Sequence, residues 1–112
     1  MIRKETNEES INRCGGNGTL EVHKLMDKDD LNGKGMGVTR IVFPAGASIG
    51  EHVHNGSSEQ YYVLRGSGIF YLNGEAFHIS AGETGVMRPG DTHGIANTGD
   101  TEMEIIGIHT FE

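Results

Sequence analysis

The 112-residue chain predicts an all-β fold, a sandwich or small barrel of short strands. Three observations point there. Its 18 glycines are about double the usual ~7% share, and they fall singly between short apolar runs, where a β-rich domain turns and bulges. Those runs are rich in β-branched and aromatic residues and recur at near-regular spacing. Helical patterning is nearly absent, with room for a turn of helix only at Ser10 to Cys14 and Lys28 to Asn32. The length suits one compact domain with a modest core.

Residues 1–18 stand apart. Met1 to Cys14 is charged and weakly patterned, and Gly15-Gly16-Asn17-Gly18 follows as a turn segment, so 1–18 is expected to be a flexible N-terminal arm, disordered or docked as a strand on a partner subunit. Residues 19–112 are expected to form the barrel domain. Its strands are predicted at Leu20 to Leu25, Val38 to Phe43, Gln60 to Arg65, Ile69 to Leu72, Ala76 to Ile79, Thr84 to Arg88 and Met103 to Thr110. Each is bounded by Gly, Pro, Asn, Asp or Ser. Asn73-Gly74 is a strong type I′ hairpin signal. Pro89-Gly90 and Thr98-Gly99-Asp100 mark further turns.

Composition excludes several functions. With a formal charge of −7 and no basic cluster, the chain lacks the concentrated Lys/Arg surface that nucleic acid or an anionic membrane requires. Met1 to Ile11 has no apolar core of a signal peptide, and no apolar stretch is long enough to cross a bilayer, so a cytoplasmic location is expected. One cysteine, Cys14, rules out a disulfide framework or thiol-rich zinc module, and with no partner thiol it reads as incidental.

Six histidines are the chemical signal. His52 and His54, two apart, would lie on one face of a strand about 6–7 Å apart at the backbone. Imidazole nitrogens are good ligands for first-row metals. A turn at Asn55-Gly56-Ser57-Ser58 can bring Glu59 beside them, and His93, after Pro89-Gly90, can complete the set from another strand. Three imidazoles and a carboxylate would leave two positions open on an octahedral ion. Spacing alone leaves this site and a chance pairing of histidines on equal footing.

Two motifs go further. Gly46 to Gly66 contains Gly46, His52, His54, Glu59 and Gly66 in the order G-x5-H-x-H-x4-E-x6-G, and resembles the first motif of the cupin superfamily. Gly82 to Asn97 resembles the second, G-x5-P-x-G-x2-H-x3-N, with Gly82, Gly90, His93 and Asn97 in register. It departs at Arg88, which stands where the pattern has proline. The motifs cover about a third of the chain, and the 15 residues between Gly66 and Gly82 resemble the short spacer of compact single-domain cupins.

The resemblance implies a double-stranded β-helix, a jelly-roll-like barrel of two antiparallel sheets with a metal inside its mouth. It implies His52, His54, Glu59 and His93 as ligands of one divalent transition metal (manganese, iron, nickel, cobalt or zinc) and a homodimer. Strand alternation would turn Glu59, Tyr61 and Val63 inward. Catalytic candidates are Tyr61, Arg40, Arg88 and His109, against plain packing or solvent exposure for each; the arginines can fork onto a carboxylate substrate. Asn97 is expected to fix a turn. A small metalloenzyme acting on a carboxylic, keto or sugar acid, resembling oxalate decarboxylase, is the first functional expectation. A non-catalytic small-molecule binder or sensor is the second.

Overall fold

Among the described residues, 1–111 of a computed structural model, the chain forms ten strands and one 3-10 turn. The strands are β1 (Glu8–Ile11), β2 (Thr19–Asp27), β3 (Gly35–Phe43), β4 (Ser48–Val53), β5 (Ser57–Arg65), β6 (Ser67–Leu72), β7 (Glu75–Ser80), β8 (Thr84–Met87), β9 (Thr92–Ala96) and β10 (Met103–Phe111). They make two antiparallel sheets, a six-stranded one in the order β1-β2-β3-β10-β5-β8 and a four-stranded one in the order β4-β9-β6-β7. The architecture is the double-stranded β-helix that the resemblance implies. Among the described residues no helix is long and apolar enough to cross a membrane.

The core lies between the sheets. Leu20, Val22, Ile41, Phe43, Val63 and Ile105 from the larger sheet meet Ile49, Phe70, Ile79 and Ile95 from the smaller. Period-two alternation places them there, and it turns Tyr61 and Val63 inward as expected. Asn73 and Gly74 both have positive φ, 50° and 83°, as a type I′ turn between β6 and β7 requires. Asn97 is buried, and its amide donates to the carbonyls of Phe43 (3.0 Å), Pro44 (3.2 Å) and Thr101 (2.8 Å), which fixes the chain after β9. Lys28–Asn32 forms consecutive hydrogen-bonded turns in place of a helical turn.

The N-terminal segment departs from expectation. Glu8–Ile11, inside the arm over 1–18, pairs with β2 of the same chain and extends the larger sheet. The reason lies in polar contacts that no local pattern encodes. Thr6 N–H donates to the Lys24 carbonyl, Lys24 N–H donates to Thr6 Oγ1, and Arg3 bridges both Asp27 and Asp30. Buried His23 holds the Thr6 carbonyl at 2.9 Å through Nδ1.

Candidate metal centre

Strand pairing assembles the histidine and glutamate set. β4 lies beside β9 with His52 and His93 as direct partners, and a register shift between Ile49 and His52 re-aims the end of β4. His54 follows the last residue of β4, two positions on from His52, so both rings reach the same side. Glu59 comes from β5 in the opposite sheet, where its direct partners are His109 on β10 and Met87 on β8. The four side chains meet in the space between the two sheets.

The geometry converges on one atom. Oε1 of Glu59 lies 3.0 Å from Nε2 of His93, 3.4 Å from Nε2 of His54 and 3.9 Å from Nε2 of His52. One ligand atom from each residue lies within 4.8 Å of every other. Bonds of about 2.1 Å to a common ion would separate neighbouring ligands by roughly 3.0 Å at right angles and opposite ones by roughly 4.2 Å. The spacings fit one ion.

Proton positions agree. His52 Nδ1 lies 2.8 Å from the Gly50 carbonyl, which only accepts, so Nδ1 carries the proton and the Nε2 lone pair faces the cluster. His54 Nε2 and His93 Nδ1 are buried without a hydrogen-bond partner. Of these two, His54 Nε2 faces the cluster, 3.4 Å from Glu59 Oε1, and an unsatisfied imidazole nitrogen beside a carboxylate suits a metal ligand; His93 enters the cluster through its other nitrogen, Nε2. Tyr61 Oη donates to Glu59 Oε1 at 2.9 Å and lies 3.2 Å from His93 Nε2.

Burial would raise the Glu59 carboxyl, but hydrogen bonds with His52, His93 and Tyr61 outweigh it and hold it well below the usual carboxylate range. The hydrogen bond to Glu59 raises His52 above the ordinary imidazole value despite burial. Burial lowers His54. Burial, then the charge of Glu59, pushes the Tyr61 phenol far up, so it stays a protonated donor. The carboxylate is ionised and the phenol is not.

The catalytic candidates divide. Tyr61 is at the site, and so is His109. The His109 ring lies 4.5 Å from that of His54, and its Nε2 shares a 2.9 Å hydrogen bond with Ser57 Oγ. Both line a cavity of about 240 Å³ together with His52, His54 and Glu59. Arg40 and Arg88 are not there. Thr39 and Ile41 take the cavity-facing positions of β3, so Arg40 points to the outer face and is held by Glu5 (2.7 Å) and Glu104 (2.6 Å). Arg88 is exposed at the turn after β8, where its backbone N–H donates to Asp91.

The structure adds Arg13, which sequence reasoning passed over, and Cys14, which it read as incidental. Arg13 and Cys14, from the 3-10 turn Arg13–Gly15, close the same cavity. Cys14 therefore stands at the site and not on a loose arm, with burial pushing its thiol up. The only sequence signal was the possible helical turn at Ser10 to Cys14.

Comparison with known proteins decides the family. The family model described as "Cupin domain" (Cupin_2) matches residues 39–109. The chain belongs to the cupin family. This cupin is 37% identical over 103 residues to the oxalate-binding protein of Thermotoga maritima, covering 92% of this chain and 85% of that one. It superposes with a TM-score of 0.95 on the crystal structure of a predicted oxalate decarboxylase from Thermotoga maritima, at 34% identity over 100% of this chain and 99% of the other. The polyketide cyclase RemF from Streptomyces resistomycificus shares the fold, with a TM-score of 0.77 at 19% identity, covering 100% of this cupin and 81% of the cyclase.

Proposed function

We propose that this cupin holds one divalent transition metal through His52, His54, Glu59 and His93 and acts on a small oxygenated acid, of which oxalate is the simplest. The observation that carries the reading is the convergence of three Nε2 atoms on Glu59 Oε1, within 3.0–3.9 Å, at the wall of a cavity of about 240 Å³. When bound, the ion supplies Lewis acidity toward the oxygens of such an acid. Manganese, iron, nickel, cobalt and zinc all suit imidazole-rich ligation. The name of the Thermotoga maritima relative, an oxalate-binding protein, supports an acid of this kind.

The chain's own residues have separate tasks. The Gly50 carbonyl fixes the His52 tautomer, and the Tyr61 hydroxyl donates a hydrogen bond to the Glu59 carboxylate, so both ligands are oriented in advance. Glu59, as a ligand, is not free to serve as base. His109 is the group in the cavity wall placed to exchange a proton with a bound acid, which favours an enzyme. Ile41 and Ile49 supply apolar wall to the cavity.

A second reading, a binder without turnover, is favoured by one contact: His109 Nε2 is already tied to Ser57 Oγ. Metal-loaded protein incubated with oxalate separates them. Release of formate and carbon dioxide, with one proton taken up per turnover, supports the enzyme. Calorimetric binding without products supports the binder. Neither binding nor products counts against both.

A further inference from the structure

Arg13 is held in place by the fold. It lies between Asn12 and Cys14, whose φ values of 51° and 52° are left-handed conformations that non-glycine residues adopt only where the surroundings enforce them. The surroundings here are backbone packed directly on backbone. A Cβ on Gly50 would collide with the Cys14 carbonyl oxygen, and one on Gly16 with that of Ser48. Ser48 N–H donates to the Asn17 carbonyl at 2.8 Å, and Asn17 N–H donates to Ser48 Oγ at 2.9 Å. Asn12 N–H donates to the Gly18 carbonyl at 3.0 Å. The turn that carries Arg13 is thus fastened to β4, the strand that carries His52.

The charge of Arg13 is unmatched. Arg3, Arg40 and Arg65 are each paired with two carboxylates, and Arg88 is exposed on its turn. Half-buried Arg13 makes no salt bridge among the described residues, and Nη1 reaches only Ser10 Oγ at 3.5 Å. It lines the 240 Å³ cavity with His52, His54 and Glu59, and also a second cavity of about 220 Å³. Glu59 and His109 line both, so the two spaces adjoin and Arg13 stands where they meet. In a chain of net charge −7, a guanidinium here adds to the charge of the proposed metal ion in attracting an anion.

We infer that Arg13 is the specificity-determining residue of the site, its guanidinium pairing with a carboxylate of the acid held in the cavity. The inference rests on the function proposed above. A guanidinium offers a planar fork of donors that matches a carboxylate, and a turn pinned to β4 presents it without a large ordering cost.

Oxalate serves as the probe, titrated calorimetrically into metal-loaded parent, Arg13→Gln, Arg13→Lys and Arg88→Gln, with metal content measured for each. The expected result is a loss of affinity of roughly tenfold or more in Arg13→Gln, a smaller loss in Arg13→Lys, none in Arg88→Gln, and unchanged metal content throughout. Equal affinity in Arg13→Gln and parent overturns the role of Arg13 and leaves the function standing. Loss of metal in Arg13→Gln also overturns it, because the residue then supports the ion and not the acid. Failure of the loaded parent to bind oxalate overturns the proposed function and this inference with it.

Discussion

Tyr61 Oη donates a 2.9 Å hydrogen bond to Oε1 of Glu59, the oxygen on which the three imidazoles close. The phenol is buried and kept protonated, so toward the carboxylate it acts as a hydrogen-bond donor. It orients Glu59 while the apolar ring packs edge-on against Phe70, with centroids 6.3 Å apart.

Tyr61→Phe keeps the ring and removes the donor. Metal affinity is expected to fall about 10-fold to 100-fold, the usual cost of losing an outer partner of a ligand. The fold is expected to survive, since the substitution removes no packing volume. A chelator competition titration alongside thermal melting reads both; unchanged affinity would leave Tyr61 as a core residue only.

Asn97→Ala should lower stability by about 2–4 kcal/mol, because three buried or half-buried carbonyls lose their donor and the Gly99 N–H loses its acceptor. Urea unfolding with and without bound metal checks this. A change below about 0.5 kcal/mol would mean that water replaces the amide.

These two residues show what was legible in the sequence. The second motif gave Asn97 its turn-fixing role, and strand alternation turned Glu59, Tyr61 and Val63 inward. β4 and β9 escaped the pattern of apolar runs because their inward faces carry His52 and His93 where an ordinary strand carries Val or Ile. Chemistry erased the strand signal at the very strands that hold it. Arg40 misled because Val38 to Phe43 is apolar on both sides of it, so alternation did not say which face it takes. Arg13 was hidden differently: its position depends on contacts between Cys14 and Gly50 and between Gly16 and Ser48, which are more than thirty residues apart in the chain.

Metal retention should fall with pH. An imidazole must be neutral to ligate, and the Glu59 hydrogen bond raises the pKa of His52 in the metal-free protein. Protons therefore begin to compete above the unperturbed value of ~6.5, first at His52. His54, lowered by burial, takes up its proton at lower pH and steepens the loss. Equilibrium dialysis between pH 8 and pH 5 should show affinity dropping across this window. Constant affinity well below ~6.5 would speak against imidazole ligation.

The most direct test is elemental mass spectrometry of untagged protein beside a His54→Ala variant. His54 Nε2 is buried and makes no hydrogen bond, so the variant removes a ligand without breaking one. Near-stoichiometric divalent transition metal in the parent and its loss in the variant is the predicted result. A parent that takes up no metal after reconstitution, or a variant that holds as much as the parent, would contradict the account.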